Sequence, residues 1–468
     1  MTYIEPTLWA QKQFGQAHLN DPRRTQRLVA LAASLAEQPG VPVSKLIISP
    51  ADMEGAYRFI RNEQIKAEDI AEAGFHVTAQ EALAQQTLLA LEDTTSLSYS
   101  HRSIQDELGH SNQGNRNRAM FIHSTLLFAP ETQVVVGLIE QQRWTRDIEK
   151  RGQGHQYATR PYKEKESYKW EQASRHVAER LGDKISDVIS VCDREADLFE
   201  YLTYKQEQQQ RFLVRSMQSR CIKEHDNRLY DYASKLQSAG ERVLDIPQKG
   251  GRKARTVHLD IKYAPVTLKS PATKKEFNNI PLYYVGCIEQ GESNDKLAWH
   301  LLTSEPITSK EEALKIVSYY ELRWLIEDFH KVWKSEGTQV EQLRMQSKDN
   351  LERLSVILAF IATRLLQLRF MNESDELSKS SCEPILKGKA WKLMWLKLER
   401  KGLPKEAPDI SWAYRGIARL GGWKNTKRTG RASIKTLWQG WFRLQTILEG
   451  YELAKSLDSP DLCSRDRP

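Results

Sequence analysis

Apolar residues recur along the chain with two spacings, one typical of strands and the other typical of helices. Short apolar stretches bounded by polar or turn-forming residues predict strands over residues 87–93, 120–128, 133–141, 185–192 and 212–215. Between these stretches, apolar positions three and four apart predict a helix over 166–181, and a second helix follows Asp197. The chain therefore alternates strands and helices in the order β-β-β-α-β-α-β.

Two of the predicted strands end in an aspartate. Asp93 closes the first apolar stretch, and Asp193 directly follows the strand that ends at Cys192. The predicted order of elements is that of a ribonuclease-H-like sheet, in which both carboxylates would lie at one sheet edge on a rigid backbone. We therefore predict an α/β fold with a ribonuclease-H-like catalytic domain.

Three further regions complete the predicted organisation. Residues 1–70 form short helices, the clearest of which begins with Asp21 as N-cap and Pro22 as first helical residue. Residues 226–304 alternate like short strands and predict a β-rich insertion in a catalytic domain that spans 71–370. Residues 371–468 contain two predicted helices, over 411–419 and 434–457, and form a C-terminal helical domain.

A predicted helix over residues 318–334 carries the most specific pattern. At roughly 100° per residue, five polar side chains fall within one arc of about 80°, and the apolar residues occupy the opposite face. The five are Tyr320, Arg323, Glu327, Lys331 and Lys334. Such spacing is also typical of ordinary i,i+4 ion pairs on a helix surface. Because two strands also end in aspartate, the combination favours a catalytic site over either feature alone.

Composition and charge narrow the class of protein. The 468 residues are 40% hydrophobic and 28% charged, which is typical of globular protein and argues against extended disorder. No apolar run approaches a bilayer span, no signal-peptide pattern opens the chain, and the five cysteines form no CxxC pair. We therefore predict a cytoplasmic protein without a disulfide framework, a structural zinc site or a membrane partner.

Basic residues are concentrated in separate segments. Residues 411–455 carry nine Lys and Arg against two acidic residues, and residues 211–262 carry twelve against six. Arg23, Arg24 and Arg27 cluster at the start of the helix that follows Asp21. Such stripes favour a polyanionic partner that contacts several parts of the chain, although each stripe taken alone is also typical of a solvated surface.

The candidate residues suit phosphodiester chemistry. Two divalent cations about 3.5–4 Å apart can hold the attacking and the leaving oxygen in line, and such cations prefer carboxylate ligands. Asp93, Asp193 and Glu327 would supply those ligands. Arg323 and Lys334 would hold phosphates, the arginine through its two-pronged guanidinium, and Tyr320 would donate a further hydrogen bond.

These residues resemble the insertion-sequence-four family of bacterial DDE transposases. The acids Asp93, Asp193 and Glu327 match the DDE triad, and Tyr320-x2-Arg323-x3-Glu327-x6-Lys334 matches the family's Y-R-E-K signature. The similarity extends over further stretches, which are Leu19–Leu28, Glu54–Asn62, Glu92–Tyr99, Val191–Asp197, Leu301–Pro306, Asn350–Arg353 and Ile417–Gly422. Residues 143–165 and 371–410 differ from the family pattern, and no role is transferred to them.

The resemblance implies cut-and-paste transposition. The reaction would proceed by nicking with water, hairpin formation, hairpin hydrolysis and strand transfer, with two Mg²⁺ ions in each active site, for which Mn²⁺ substitutes. Double-stranded DNA, as transposon ends and target, and a second copy of the chain in a homodimeric synaptic complex are the implied partners. The DNA-binding residues it implies are Arg23, Arg24, Arg27, Arg58, Arg61, Arg215, Trp299, Tyr320, Arg323, Lys331 and Lys334. Trp299 would stack on a base that leaves the duplex, although a core tryptophan in a strand is the competing interpretation.

Two other functions remain open from the sequence. The first is a DNA-binding inhibitor of transposition that occupies the ends without cutting them. The second is a ribonuclease-H-like nuclease that cleaves without needing specific ends and forms no hairpins. The products formed from DNA that carries the ends, with and without Mg²⁺, separate these functions from a transposase, because an inhibitor yields no nicks and a nuclease yields no hairpins.

Overall fold

The computed structural model describes most of the chain and shows a mixed α/β protein. The described residues are 6–457 except for 47, 112–117, 150–159, 225–227, 247–254, 275, 292–295, 372–376, 384, 387 and 427–431. The α/β class and the helical N-terminal region that the sequence predicts are confirmed. Across these residues, no helix has the length and apolar character needed to cross a bilayer.

Ten strands form one mixed sheet. The strands are β1 (Leu88–Tyr99), β2 (Gly109–His110), β3 (Arg118–Ala129), β4 (Val134–Trp144), β5 (Val188–Cys192), β6 (Arg211–Arg215), β7 (Gly240–Ile246), β8 (Arg255–Leu268), β9 (Ile280–Glu289) and β10 (Ala298–Thr303). Their spatial order is β2-β3-β1-β5-β6-β10-β9-β8-β7, and β4 also pairs with β3. The pairs β1–β5 and β5–β6 are parallel, and the others are antiparallel.

Helices pack on the sheet, and further helices precede the first strand and follow the last one. They are α1 (Pro6–Phe14), α2 (Pro22–Glu37), α3 (Pro50–Ile60), α4 (Ala67–Ala82), α5 (Lys169–Leu181), α6 (Phe199–Glu207), α7 (Leu229–Lys235), α8 (Lys310–Glu321), α9 (Trp324–Lys331), α10 (Lys348–Met371), α11 (Gly388–Glu399), α12 (Ile410–Leu420) and α13 (Ile434–Leu457). The sequence patterns described above do not predict α1, α4, α7 or α11 individually.

The N-terminal helices begin as their capping residues predict. The Asp21 side chain accepts a hydrogen bond from the backbone N–H of Arg23, and Pro22 opens α2. Ser49 caps α3 in the same way through the N–H of Asp52. Apolar residues of α1–α4, such as Phe14 and Phe75, share one buried cluster with β1, α9 and α10, where both rings contact Phe360. The N-terminal region is therefore packed directly on β1, α9 and α10.

Strands β7–β10 lengthen the sheet. β10 pairs antiparallel with β6, with Leu301 opposite Arg215, and β9, β8 and β7 follow in turn. The predicted alternation of short strands over residues 226–304 corresponds to β7, β8, β9 and β10, the last of which carries Trp299. The region therefore extends the same layer, while its predicted turn at Gly250 and Gly251 lies outside the described residues.

The strand predicted over 185–192 begins later than expected. Residues Gly182–Asp187 form a 3₁₀ turn, and β5 starts at Val188. Gly182 has φ 53°, a left-handed conformation that ends α5 and that other residues adopt at a cost. The chain therefore turns before it enters the sheet.

The C-terminal helices form a separate apolar cluster. Residues of α11, α12 and α13, among them Trp391, Ile417 and Leu444, pack together around Met394. A close backbone approach between α12 and α13 is possible because the glycines Gly421 and Gly440 face each other; a Cβ on either would lie within 2 Å of a backbone oxygen. This pair corresponds to the two helices predicted for the C-terminal region.

Candidate active site

Asp93 and Asp193 lie at the same level of two parallel neighbouring strands. β1 and β5 pair in register from Leu88 opposite Val188 to Leu91 opposite Val191. Each aspartate lies two residues beyond the last of these pairs. Because side chains alternate along a strand, each aspartate shares the sheet face of Leu91 and Val191, both of which belong to the cluster that includes α9 and α10.

The prediction that Asp93 ends its strand is wrong. β1 continues to Tyr99, and Asp93 pairs across the sheet with Ser124 of β3. The antiparallel partner β3 keeps β1 extended after its parallel pairing with β5 has ended. The backbone of Asp93 is therefore held by sheet hydrogen bonding on the β3 side, while its other side is open towards Asp193.

Asp193 leaves its strand at a tight turn. Its carboxylate caps the 3₁₀ turn Arg194–Ala196 and accepts a hydrogen bond from the backbone N–H of Glu195 at 2.8 Å. Burial raises the pKa of Asp193, and the nearby charge of Asp93 adds to that rise, although the Glu195 N–H opposes it. Two carboxylates are thus close enough to repel each other, which is the charge arrangement that a cation relieves.

Helix α9 brings the third predicted acid to the same face of the sheet. Arg323 precedes the helix, is 8% exposed, and donates a hydrogen bond from Nη2 to Glu327 Oε1 at 2.8 Å. The Arg323 guanidinium also interacts electrostatically with Asp93 and Asp193. One buried cation therefore lies among the three acids, and Glu327 is directly paired with it.

The continuous helix predicted over 318–334 is interrupted twice. α8 ends at Glu321 and α9 begins at Trp324, because the N–H groups of Arg323, Leu325 and Ile326 bond to carbonyls three residues back and tighten the chain. After α9, Val332–Glu336 form a π-helical turn. Since a constant 100° step fails across these breaks, the five polar side chains do not share one outward arc.

His330 lies in the site but is not among the residues predicted from the sequence. It follows Glu327 by three residues on α9, is buried, and places Nδ1 3.6 Å from Asp93 Oδ2. Burial opposes the charge of Asp93, but the His330 imidazole and then the Arg323 charge outweigh burial and lower the pKa of Asp93. The i,i+3 spacing from Glu327 was the available signal, because such residues project from one side of a helix.

Tyr320, Trp299 and Arg215 lie together on the face of the sheet that carries Asp93 and Asp193, here called the active face. The Trp299 and Tyr320 rings meet edge to face, with centroids 5.3 Å apart, and both side chains are buried. Arg215 donates to the Ala298 carbonyl at 2.9 Å and lies beside the Tyr320 hydroxyl. Burial raises the pKa of Tyr320, so its hydroxyl stays protonated and can donate. Trp299 is packed as a core residue in this structure.

The two lysines of the predicted arc have different partners, one on the helix surface and one on β1. Lys331 is exposed and pairs with Asp328 at 3.0 Å, away from the acids. Lys334 reaches the later half of β1, where Nζ donates to the Ser96 carbonyl at 2.7 Å and lies 3.5 Å from Glu341. The structure thus brings Lys334, but not Lys331, to the strand that carries Asp93.

The N-terminal arginines form a separate group on α2 and α3. Arg23 pairs with Asp21, Arg27 with Asp52, and Arg58 with Glu54. Arg24 contacts the Leu19 carbonyl and Gln64, and Arg61 lies over the Tyr57 ring. Arg23 and Arg58 keep 88% and 77% of their side chains exposed and so remain accessible to a partner.

The acids have the chemistry of a divalent-cation site. Asp93 and Asp193 offer hard oxygen donors on one face of the sheet, and their mutual repulsion favours a bound cation. Within the described part of the chain, no group of three His, Cys, Asp or Glu residues is close enough to hold a metal ion. Asp93 and Asp193 have donor atoms that fit such an ion, and Glu327 would join them only after leaving its contact with Arg323.

Two family models match the chain. Residues 6–65 match the transposase DNA-binding family, and residues 139–364 match the transposase DDE domain. The second match includes Asp193 and Glu327 and begins after Asp93. The chain therefore carries a transposase DNA-binding domain and a transposase DDE domain.

The structure of one solved transposase shows a weak similarity to this chain. The cryo-EM structure of the piggyBac transposase synaptic complex with hairpin DNA matches with a TM-score of 0.40 and 10% sequence identity. The match covers 98% of this chain and 82% of that chain. A likeness of this size carries no functional argument.

Proposed function

We propose that this chain, which carries the DNA-binding and DDE domains of a transposase, is a cut-and-paste enzyme of the insertion-sequence-four family. It binds terminal inverted repeats, nicks one strand, forms and opens a hairpin, and joins the excised end to target DNA. The observation that carries the proposal is the register of β1 and β5, which sets Asp93 and Asp193 side by side beneath the Arg323–Glu327 pair.

The proposed domains keep the limits predicted from the sequence, and the limit at residue 70 falls within α4. Residues 1–70 bind transposon ends, residues 71–370 form a ribonuclease-H-like catalytic domain with its insertion at about 226–304, and residues 371–468 mediate dimerisation and DNA contact. The order β3-β1-β5-β6, with two parallel pairs at its centre, supports the ribonuclease-H-like assignment. Both family matches agree with a DNA partner.

Asp93, Asp193 and Glu327 are the proposed ligands of two Mg²⁺ ions, with Mn²⁺ as a substitute. When bound, such ions activate the attacking oxygen and stabilise the leaving oxygen of a phosphodiester. Asp193 contributes a fixed carboxylate because the Glu195 N–H orients it, and Asp93 contributes one from a backbone that its pairing with β3 holds extended. Glu327 joins them after release from Arg323.

The neighbouring cations bind the DNA backbone. Arg323, once free of Glu327, presents its guanidinium to a phosphate beside the acids, and Lys334 presents a point charge further along β1. Tyr320 donates its hydroxyl, and Arg215 adds a positive charge on the same face. Lys331, which pairs with Asp328 on the surface, contacts DNA outside the cluster of acids.

Three further contacts complete the proposal. The exposed arginines of α2 and α3 bind the transposon end, since arginine is suited to phosphates and to guanine edges. Trp299 stacks on a base that leaves the duplex, which requires its edge-to-face contact with Tyr320 to open. The C-terminal helices pair two copies of the chain in the synaptic complex.

A cleavage assay with two variants tests the proposal. The substrate is a duplex that carries the repeats flanking the gene, incubated with and without Mg²⁺ and resolved on a denaturing gel. We expect nicked and hairpin products from the wild type, and a loss of more than about 100-fold in nicking by Asp93→Ala, because even the outer partners of metal ligands contribute about 10–100-fold. DNA binding by this variant should remain nearly unchanged.

Asp106→Ala is the matched control, because Asp106 is an exposed aspartate in the turn between β1 and β2. It should cut like the wild type. Binding without any cutting by the wild type would identify an inhibitor of transposition. Cutting of any duplex without hairpins would instead identify a nuclease.

A further inference from the structure

His330 is a buried polar residue whose burial is not explained by packing. The residue is 5% exposed and lies on α9 among apolar neighbours such as Phe329. Within the described residues, its Nε2 atom has no hydrogen-bond partner. A buried polar atom without a partner destabilises a fold by about 1–3 kcal/mol, so an apolar ring of the same size would serve a purely structural role better.

The other ring nitrogen faces Asp93. Nδ1 lies 3.6 Å from Asp93 Oδ2, which is within ion-pair distance and slightly too long for a hydrogen bond. Contacts of this kind in unliganded active sites are often long and shorten when substrate binds. With the proton on Nδ1, the imidazole donates to Oδ2 and leaves Nε2 as an acceptor in the core.

The contact selects one oxygen of Asp93. A carboxylate has two oxygens, and a donor held against Oδ2 leaves Oδ1 as the oxygen that His330 does not contact. The donor is itself fixed, because His330 and Glu327 are one turn apart on α9 and α9 packs on β1. A shift of α9 would therefore move Glu327 and the partner of Asp93 together.

We propose that His330 is a positioning residue that orients the Asp93 carboxylate for divalent-cation binding. The proposal rests on the proposed function, because it assigns Asp93 as a ligand. His330 does not itself contact the ion or the DNA. Partners of metal-binding side chains commonly change metal affinity by about 10–100-fold when they are lost.

Three substitutions separate this role from core packing. His330→Phe keeps the ring and loses the donor. His330→Asn carries its amide nitrogen near the position of Nδ1, whereas His330→Gln carries it near the position of Nε2. We expect Phe and Gln to raise the Mn²⁺ concentration for half-maximal nicking of end-bearing DNA by about 10–100-fold, and Asn to stay close to the wild type.

Mn²⁺ binding provides a readout without catalysis. Electron paramagnetic resonance of free Mn²⁺ in titrations of the full chain should show the same order, with wild type and Asn binding more tightly than Phe and Gln. Thermal unfolding is measured for each variant. If the Phe variant fails to fold, the contrast between the Asn and Gln variants decides the question.

His123→Asn is the matched control. His123 is also buried beside an acid, with Nε2 3.3 Å from Glu92 Oε2, but on the opposite face of β1. We expect it to lower the unfolding temperature and leave the Mn²⁺ requirement unchanged.

The outcomes distinguish the two proposals. Equal Mn²⁺ requirements for wild type and His330→Phe, or an Asn variant that behaves like the Gln variant, would overturn the role of His330 while leaving the transposase intact. A wild-type chain that neither binds Mn²⁺ nor cuts DNA would overturn both.

Discussion

The surroundings of Asp193 disfavour its ionised form, which destabilises the folded protein at neutral pH. Its carboxylate is buried beside Asp93, and its pKa is raised by burial and by that neighbouring charge. An acid whose folded-state pKa is raised ionises more readily in the unfolded chain, so its ionisation at neutral pH favours unfolding. The residue thus fits a site that is kept for binding a cation at the expense of stability.

Asp193→Asn should separate stability from activity. Without divalent ions at pH 7, we expect a higher unfolding temperature than the wild type, because the buried charge is removed. With Mg²⁺, nicking should fall by more than about 100-fold, because a proposed metal ligand is lost. Calorimetry and the gel assay measure the two effects, and a variant that is destabilised without metal would contradict this account of Asp193.

The three acids were predictable from the sequence, but His330 was not. Asp93 and Asp193 each follow an apolar run in the sequence, and Glu327 belongs to a polar pattern, so each has a signal in its own neighbourhood. His330 has meaning only through Asp93, which lies on another element and is brought near by folding. A single histidine is more often a core or surface residue, and its i,i+3 spacing from Glu327 is too common on helices to change this expectation.

At the scale of elements, local patterns predicted the types of the strands and helices better than their limits. The capped start of α2 and the strands β3 and β4 agree with their patterns. The break between α8 and α9 was missed because neither glycine nor proline marks it. Tertiary packing explains it, since the break buries Arg323 and Tyr320 on the active face.

A charged network ties α5 to the strand β4. His176 Nδ1 lies 3.2 Å from Glu140 Oε2, and Arg180 pairs with both Glu140 and Glu72 of α4. The hydrogen bond with Glu140 raises the pKa of His176 despite partial burial. The charged imidazole therefore contributes to holding these three elements together.

This network predicts a pH dependence of stability. Since the folded-state pKa of His176 lies above its ordinary value of 6.5, its contribution is fully present below about pH 6.5 and is lost as the pH rises through the folded-state pKa. We expect His176→Gln to destabilise the protein more at pH 5.5 than at pH 8.5, measured by urea unfolding.

His76→Gln serves as the control for this prediction, because His76 is an exposed histidine of α4 that contacts Gln80. It should leave the pH dependence of unfolding unchanged. An equal loss of stability at both pH values in His176→Gln would show that its imidazole acts through packing alone.

For the whole molecule, basic charge is distributed over surfaces that are far apart in the sequence. Arg23 and Arg58 are exposed on the N-terminal helices, and Arg415, Lys424 and Lys435 are exposed in the C-terminal region. Part of the C-terminal stripe, residues 427–431, lies outside the described residues. Because each cation that neutralises a phosphate releases a counterion, such a distribution makes DNA binding depend steeply on salt.

Removing three of these charges should reduce that dependence. For the combined variant Arg415→Ala, Lys424→Ala and Lys435→Ala, we expect weaker binding at 100 mM salt. The slope of log K against log salt should become shallower by about 0.9 for each lost phosphate contact. Fluorescence anisotropy over a salt series measures both quantities. An unchanged slope would identify the C-terminal stripe as a solubilising surface.

The pairing of β1 with β5 determines which insertions and deletions keep the two aspartates aligned. The alignment of the two aspartates depends on four paired residues, from Leu88 with Val188 to Leu91 with Val191, and on no loop. Insertions and deletions between Trp144 and Lys169 leave the two aspartates aligned, because that segment lies outside the paired residues. Loss of one residue within β5 would instead turn Asp193 to the far side of the sheet. The connecting segments can diverge freely while the strands themselves cannot slip.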